Sequence, residues 1–322
     1  MKISVVIPSK NGLHHLKDCL PTVIEATKNS INPIDITVVD DNSTDNTATE
    51  FSNLFPTVKL LRTTPNACGA CSARNLGVNS TTCDWICFLD NDVFLEPDFF
   101  QTTLKYLRDD VFAVACCGYA AYPKVPDTRE QLDGLKLFHW ERGYPRFTKK
   151  VYNKQIDMNK EYECFGTQGA YFFMSRKWFD ELDGYDTILS PYLLEETDLI
   201  YRGLKRGGKV IYASDTQPRH KCGGTIQSNT NPYTKYLSKR NRIIFAWKNI
   251  HDNKLLLSSI FWTLIRPNFK AIYECIKVLP EILRKRRAER KHIIISDSEL
   301  LHKSATIEKS LFKNKYYNSD KS

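Results

Sequence analysis

Apolar segments of strand length alternate with helical patterns through the first ninety or so residues, and this alternation restricts the fold more than any other feature. The apolar segments lie at residues 3–7, 34–39, 58–62 and 85–89. Apolar side chains recur at helical spacing over residues 14–28, and residues 70–79 also have the character of a helix. Strands that alternate with helices pair in parallel. The sequence therefore predicts an α/β fold with a Rossmann-like, doubly wound and mostly parallel sheet.

The pattern becomes mixed after Asp92, and we expect a mixed second half of the sheet. Strands are predicted at residues 111–117, 169–174 and 209–212, and helices at 176–182 and 194–206. Residues 122–162 are polar, contain proline and aromatic residues, and show no clear period. A long irregular insertion of this kind is usually functional or mobile.

Two carboxylates follow directly after the apolar segment Trp85–Leu89. Side chains two residues apart on a strand point to the same face, so Asp90 and Asp92 are expected to lie together at the end of this strand. Open α/β sheets bind ligands at the carboxyl ends of their strands. Neighbouring carboxylates repel each other, and a divalent cation bridged to substrate phosphates removes that repulsion. The alternative is a polar turn that only closes the strand.

A second carboxylate pair, Asp40-Asp41, ends the strand of residues 34–39. Acidic residues at this position can accept hydrogen bonds from a base edge or from ribose hydroxyls, although Asp-Asp-Asn-Ser also favours a turn. Arg74 lies on the helix that precedes residues 85–89. It could reach phosphate or ribose, or it could be an ordinary surface arginine.

Further candidates lie in the second half of the chain. Glu195, Glu196 and Asp198 stand at the start of a predicted helix, where acidic residues are favourable because of the helix dipole alone. A carboxylate there could instead act as a general base toward an acceptor hydroxyl. His220 follows a predicted strand, and beside a carboxylate pair it becomes a candidate third metal ligand.

The C-terminal quarter carries nearly all of the excess positive charge. The net charge is +9, and residues 248–322 contain 16 Lys and Arg against 8 Asp and Glu, whereas residues 1–247 contain 30 against 29. Apolar side chains at helical spacing over residues 269–283 precede the basic run 284–287. An amphipathic helix beside a basic cluster suits an anionic membrane surface. The alternative is a core-packed helix followed by a solvated charge run.

Other features of the sequence argue against a nucleic-acid-binding protein, a membrane-spanning protein and a secreted protein rich in disulfides. Nucleic acid is not an expected partner, because no aromatic residue is interleaved with the basic run. The apolar run 255–265 is too short to span a bilayer. The first strand begins at Ile3 with no leader before it, and the ten cysteines include only one C-x-x-C pair, so we expect reduced thiols and at most one disulfide. A cytoplasmic protein at the inner face of the cell membrane is predicted.

Five motifs in this order resemble those of family 2 glycosyltransferases of the GT-A fold. The resemblance covers roughly residues 1–250. The residues that carry it are Ile3–Asn11, Val39–Asp45, Ala73–Gly77, Phe88–Asp92 and Glu195–Leu199. His220 and the segment Tyr236–Arg242 are similar to the rhamnosyltransferase-like branch, whose members often end in a basic, membrane-apposed tail.

The resemblance implies that the donor is a nucleoside-diphosphate sugar. Pro8 and Ser9 would line the nucleotide pocket. Asp40 would contact the base or ribose, with Asp41 beside it. Arg74 would lie near the ribose and diphosphate.

The resemblance also implies a divalent metal, Mn²⁺ or Mg²⁺. Asp92 would ligate the ion, and His220 would be a further metal or phosphate contact. Asp90 would face the nucleotide sugar. Arg240 would lie near the diphosphate or the acceptor.

The resemblance further implies an inverting transfer to a hydroxyl of a saccharide or lipid-linked glycan. The family usually has Glu-Asp where this chain has Glu195-Glu196. The matching base is Glu196, one methylene longer than Asp, with Glu195 as the fallback. The acceptor is expected to contact the 122–162 segment and residues 166–169.

The chain is thus expected to have a glycosyltransferase domain over residues 1–250, followed by a basic amphipathic helical tail over 251–322. The nucleotide-binding half would end near residue 115, and residues 116–250 would supply the acceptor side and the base. Two alternatives are a nucleotidyltransferase, for which Ser9–Gly12 offers little of a phosphate loop, and a nucleotide-sugar-binding module that has lost catalysis.

Overall fold

A computed structural model of the protein describes residues 1–121, 131–147, 151–152, 156–221 and 231–312. The strands are β1 (Ile3–Ser9), β2 (Ile34–Asp40), β3 (Lys59–Arg62), β4 (Trp85–Leu89), β5 (Val93–Phe94), β6 (Ala113–Cys116), β7 (Gly118–Ala121), β8 (Gln131–Asp133), β9 (Phe138–Glu141), β10 (Tyr144–Phe147), β11 (Val151–Tyr152), β12 (Glu161–Cys164), β13 (Tyr171–Ser175), β14 (Val210–Ala213) and β15 (Arg219–Lys221). The α-helices are α1 (Leu13–Lys28), α2 (Thr47–Leu54), α3 (Ala70–Asn79), α4 (Phe99–Thr103), α5 (Arg176–Glu181), α6 (Glu195–Lys205), α7 (Pro232–Asn249), α8 (Asn253–Ile265), α9 (Phe269–Lys277), α10 (Leu279–Arg290) and α11 (Asp297–Phe312).

An eight-stranded sheet in the order β12-β14-β6-β13-β4-β1-β2-β3 forms the centre of the fold. Strands β1 to β4 pair in parallel, as the alternation of strands and helices predicts. Strand β13 runs antiparallel to both β4 and β6, and β12 runs antiparallel to β14. The prediction of a mostly parallel first half and a mixed second half is confirmed.

Strand β4 shows why its sequence is apolar throughout. Ile86 and Phe88 belong to the apolar core on one face of the sheet, whereas Trp85, Cys87 and Leu89 belong to the core on the other face. A central strand covered on both faces has no side exposed to water, so it reads as a continuous apolar run. Its buried faces anchor the strand end that carries Asp90.

The segment 122–162 contains short strands, so the prediction of an irregular insertion is wrong for its described part. Strands β8 and β11 join β7, β15 and β5 in a second, five-stranded sheet, while β9 and β10 form a hairpin. These strands are two to four residues long, which is too short for a period of two to be recognised in the sequence. Residues 122–130, 148–150 and 153–155 lie outside the described residues.

The C-terminal region is helical, as predicted, but residues 269–283 do not form one continuous helix. They are divided between α9 and α10, which meet at Val278. Pro280 occupies the first turn of α10, where its missing N–H needs no partner. No helix in the described ranges is long and apolar enough to cross a membrane. Residues 313–322 of the predicted tail lie outside those ranges.

The basic run 284–287 is only partly a solvated charge cluster. The ammonium nitrogen of Lys285 lies 3.0 Å from a carboxylate oxygen of Asp186, and Arg286 donates a hydrogen bond of 2.9 Å to the carbonyl of Trp247. Two of its four cations therefore hold α10 against the body of the protein.

Candidate active site

The ends of β1, β2 and β4 bring the first group of predicted residues together. In the parallel register Ser9 lies opposite Asp40. The amide of Asn91 donates a hydrogen bond of 2.9 Å to the hydroxyl of Ser9, which links the ends of β1 and β4. A Cβ atom on Gly12 would lie 2.1 Å from the amide nitrogen of Asn91, so a larger residue there would displace the Asn91 side chain from Ser9. Asn91 is a structural member of the site that the sequence motif contained but that sequence reasoning did not assign.

The two carboxylates at the end of β2 are held by the protein in different ways. The carboxylate of Asp40 is fully buried, accepts a hydrogen bond of 2.9 Å from the backbone N–H of Ser43, and lies 3.4 Å from the guanidinium of Arg62. Asp41 accepts a hydrogen bond of 2.7 Å from the backbone N–H of Gly69, at the start of α3. Pro8, in β1, lies opposite Val39. Nucleotide contacts by these residues stay predictions.

Asp90, Asp92 and His220 form a cluster in which one ligand atom of each residue lies within 4.8 Å of the others. The imidazole Nε2 of His220 is 3.1 Å from a carboxylate oxygen of Asp92. This contact arises because β15 pairs with β5, directly after the Asp90–Asp92 motif, and places His220 opposite Val93. The predicted ligands Asp92 and His220 are therefore adjacent, although 128 residues separate them in the sequence.

The chemistry of this cluster fits a divalent cation. Burial raises the pKa of Asp90, and the neighbouring charges of Asp92 and Glu195 act in the same direction, whereas Arg74 and His220 oppose them. A bound cation would favour the ionised form of such a carboxylate. Two carboxylates and an imidazole offer hard oxygen ligands and one nitrogen, a set that Mn²⁺ accepts.

Arg74 connects this cluster to the start of α6. Its buried guanidinium donates hydrogen bonds of 2.8 Å to Asp90 and 3.0 Å to Glu195, and it lies over the ring of Tyr185 at 5.5 Å from the centroid. The alternative of an ordinary surface arginine is wrong. Contact of Arg74 with ribose or diphosphate stays a prediction.

The two glutamates of α6 face different surroundings. Glu195 is buried and bonded to Arg74, whereas the side chain of Glu196 lines a cavity beside Gly169. Burial raises the pKa of Glu196 to about 7, and the charge of Glu195 adds to this effect. A carboxylate with that pKa is a suitable proton acceptor near neutral pH.

The loop before α6 holds this arrangement in place. Leu193 and Leu194 have φ angles of 80° and 69°, a region that non-glycine residues rarely occupy. The amide of Asn241, on α7, donates to the carbonyls of Leu189, Tyr192 and Leu193 at distances of 2.8 to 3.0 Å. The loop conformation is thus stabilised by α7.

Arg240 acts on the same loop. Its guanidinium donates to the carbonyls of Ile188 and Ser190, at 3.0 and 3.2 Å. Contact of Arg240 with the diphosphate or acceptor stays a prediction. Sequence reasoning missed the part played by Asn241, although the residue lies within the quoted segment Tyr236–Arg242.

A cavity of about 610 Å³ lies in front of Glu196. We call it the basic cavity, because among the described residues seven cationic side chains line it and Glu196 is the only acidic one. The cations are Lys136, Arg142, Arg146, Lys235, Lys239, Arg242 and Arg266. Its volume is in the range of ligand pockets. Asp90, Asp92 and His220 are not among its lining residues.

Known proteins resemble this chain in sequence and in structure. It is 28% identical to glycosyltransferase GlyA of Streptococcus pneumoniae serotype 4 over 141 aligned residues. The alignment covers 43% of this chain and 18% of GlyA. The structure of GalNAc-T7 with UDP, GalNAc and Mn²⁺ aligns with a TM-score of 0.69 at 16% identity, over 96% of this chain and 57% of that one. The structure of S. aureus TarS 1–349 with UDP-GlcNAc aligns with a TM-score of 0.53 at 12% identity, over 98% and 93% of the two chains.

At these identities the structural likeness establishes the fold, which is GT-A. The chain spans less than two thirds of the length of GlyA and of GalNAc-T7. The family model described as "Glycosyl transferase family 2" matches residues 4–183, which is more than half of the chain. That region contains the ends of β1, β2 and β4, together with Arg74. The chain therefore belongs to glycosyl transferase family 2.

Proposed function

We propose that this protein is an inverting, metal-dependent glycosyltransferase. It would move a sugar from a nucleoside diphosphate to a hydroxyl of a saccharide or lipid-linked glycan, in the synthesis of a cell-surface polysaccharide. The observation that carries the proposal is the path from the Asp90, Asp92 and His220 cluster, through Arg74, to the two glutamates of α6. This path supports the proposal because it joins residues that would hold a cation to a residue that would act as the base.

The residues can be assigned separate tasks in this reaction. Asp92 and His220, with Asp90 beside them, would hold Mn²⁺ or Mg²⁺, which when bound neutralises charge on the departing diphosphate. Glu196 would accept the proton of the acceptor hydroxyl at its carboxylate. The acceptor oxygen then forms its bond to the anomeric carbon as the bond to the diphosphate breaks. A single displacement inverts that carbon, and no covalent intermediate with the protein is needed.

Glu195 would serve as a positioning residue. Because its carboxylate binds Arg74, which also binds Asp90, it fixes the start of α6 relative to the cation cluster. Arg240 and Asn241 stabilise the same helix start, because they donate hydrogen bonds to carbonyls of the loop that precedes it. The nucleotide contacts would come from Pro8, Ser9, Asp40, Asp41 and Arg74, at the strand ends.

A screen of nucleotide-sugar donors tests the proposal. The purified chain is incubated with uridine, thymidine and guanosine diphosphate sugars, with Mn²⁺, with Mg²⁺ or with EDTA, and release of the nucleoside diphosphate is measured. We expect release from one donor class only when a divalent metal is present. Binding of a donor without release or transfer would instead indicate a nucleotide-sugar-binding module. Release of pyrophosphate would indicate a nucleotidyltransferase.

We further propose that helix α8 rests on an anionic membrane, at the inner face of the cell membrane. The polarity of the two faces of α8 is the reverse of that of an ordinary surface helix, because polar residues face the protein and apolar residues face outward. Its polar residues Ser259 and Thr263 are buried, and the hydroxyl of Thr263 is 2.7 Å from that of Tyr144 in the β9–β10 hairpin. Its exposed apolar residues are Leu257, Ile260, Phe261, Leu264 and Ile265. These residues form the apolar stripe.

The next helix and the nearby charges support this proposal. Phe269, Tyr273 and Ile276 are exposed on α9 at helical spacing. Arg266 and Lys270 are exposed between the two helices and at the start of α9. Apolar side chains that enter the headgroup region, with cations beside them, are the combination that binds anionic lipid surfaces.

Replacing Phe261 and Leu264 together by Glu is expected to abolish flotation with vesicles that contain 30% phosphatidylglycerol. Each side chain loses roughly 1.5–3 kcal/mol of burial, so the partition coefficient should fall by about 100-fold or more. The matched control replaces Ile31 and Leu54, which are exposed far from α8 in the sequence, by Glu. Equal flotation of the α8 variant and the control variant would contradict a membrane role for the apolar stripe.

A further inference from the structure

Three of the seven cations that line the basic cavity pair with a carboxylate in the described part of the chain, and the other four do not. Lys235, Lys239, Arg242 and Arg266 form no ion pair with any residue in the described ranges. The ammonium group of Lys239 donates to the carbonyl of Arg266, which is itself a cationic residue. Unpaired charges of one sign therefore face a common space.

Buried cations elsewhere in the described residues are matched with carboxylates at close range. Lys205 lies 2.5 Å from Asp297, and Lys248 lies 2.5 Å from Asp186. Arg202 is likewise paired with a buried aspartate, at 2.9 Å. The four unpaired cations of the basic cavity are half-buried or exposed, so what distinguishes the cavity is the number of cations that share it and not the lack of a partner for each one.

Two further groups in the cavity lack a hydrogen bond among the described residues. The hydroxyl of Thr167 is buried without one, and so is the Nε atom of Arg146, whose nearest carboxylate oxygen, on Glu141, is 3.8 Å away. Burial lowers the pKa of Arg242, and the charge of Arg146 lowers it further. Unpaired buried donors and mutually repelling cations are costly to maintain. Arginine guanidinium groups bind phosphate oxygens through paired N–H donors. A bound phosphate would therefore give the unpaired donors a partner and would reduce the repulsion between the cations.

We propose that the basic cavity binds a phosphate or diphosphate group of the sugar acceptor. This inference rests on the proposed function, because it treats the space in front of Glu196 as the acceptor side. The donor diphosphate is assigned to a different place, since the cation cluster of Asp90, Asp92 and His220 does not line this cavity. An acceptor anchored by its phosphate groups would present its hydroxyl toward the carboxylate of Glu196.

The position of α8 agrees with an acceptor of this kind. Trp262 and Arg266 line the cavity, whereas Phe261 and Ile265, their neighbours in the sequence, lie in the exposed apolar stripe. The cavity therefore adjoins the surface proposed to contact lipid. A glycan joined to a lipid through phosphate would match both surfaces, and a soluble glycan phosphate would match the cavity alone.

Binding of inorganic pyrophosphate to the full chain in EDTA, measured by calorimetry, tests the proposal. The variant Lys239→Gln with Arg242→Gln should bind roughly tenfold or more weakly, because two charge-assisted contacts are lost. The exposed pair Lys235→Gln with Arg266→Gln should weaken binding in the same direction and carries little risk to folding. The control pair Lys28→Gln with Lys177→Gln, exposed and outside the cavity, should bind as the unaltered protein does.

Pyrophosphate binding that both cavity variants retain at unaltered affinity would overturn the proposal. A second ligand separates the two sources of the phosphate. Farnesyl diphosphate that binds more tightly than pyrophosphate would identify a lipid-linked phosphate, and equal affinities would identify a soluble one. Because this assay needs neither donor nor metal, absence of donor turnover would count against the proposed function without affecting the phosphate assignment.

Discussion

Replacing Asp92 by Ala is expected to lower the rate of sugar transfer by roughly 10³-fold, because in the proposed mechanism Asp92 is a ligand of the ion that stabilises charge on the leaving diphosphate. The variant should remain folded. Asp92 lies just beyond the end of β4, and its carboxylate lies at ion-pair distance from His220. The free energy of unfolding without metal should therefore change little, since removing one of two neighbouring carboxylates also removes their mutual repulsion.

Mn²⁺ binding provides a readout of this variant that does not depend on activity. Paramagnetic resonance of free Mn²⁺ should show one tight site in the unaltered protein and a much weaker one in Asp92→Ala and in His220→Ala. The matched control is Asp109→Ala, which removes an exposed aspartate and should change neither binding nor transfer. Full activity in Asp92→Ala, with its metal site lost, would disprove metal-dependent transfer.

Replacing Glu196 by Gln is expected to reduce kcat by roughly 10²–10⁴-fold, the usual contribution of a general base. The donor should bind with unchanged affinity, because the carboxylate faces the basic cavity and not the cation cluster. In the unaltered protein the base acts only when it is ionised, and its pKa is raised to about 7. The value of kcat/KM should therefore fall as the pH drops below 7, and Glu196→Gln should lose this acidic limb.

Glu195→Gln is the matched variant that separates the two glutamates. It keeps a side chain that can accept a hydrogen bond from Arg74 but removes the charge that helps to raise the pKa of Glu196. The acidic limb should therefore move to lower pH while much of the transfer activity remains. Loss of transfer in Glu195→Gln, with normal transfer in Glu196→Gln, would reverse the assignment and make Glu195 the base.

Most of the structure of residues 1–115 could be predicted because its signals are local. The residues of β4 are apolar on both faces, and α1 and α3 have helical character over their whole lengths. In the second half, β8 to β11 are two to four residues long, and their pairing depends on distant strands. The break between α9 and α10 was missed, because the apolar spacing continues through Val278 while Pro280 begins a new helix.

Candidate residues could be named from the sequence, but their contacts could not. The pair Asp90 and Asp92 is visible because a strand places them on one face. The ion pair between Arg74 and Glu195 joins residues 121 positions apart, and no local pattern encodes it. The cations of the basic cavity come from the β9–β10 hairpin and the loop before it, from α7 and from the residue that follows α8, so no single segment of the sequence reveals them.

The sequence by itself determined the α/β class, the order of the motifs and the position of Asp90 and Asp92 at a strand end, because alternation and helical spacing follow from backbone geometry over a few residues. Only the tertiary structure decided that His220 lies beside Asp92. It also decided that Glu195 forms an ion pair with Arg74, whereas Glu196 faces the basic cavity. Each of these facts depends on how separate strands and helices are packed together. The packing also decided that α8 turns its apolar side outward, because the positions of its neighbours determine which face of a helix is buried.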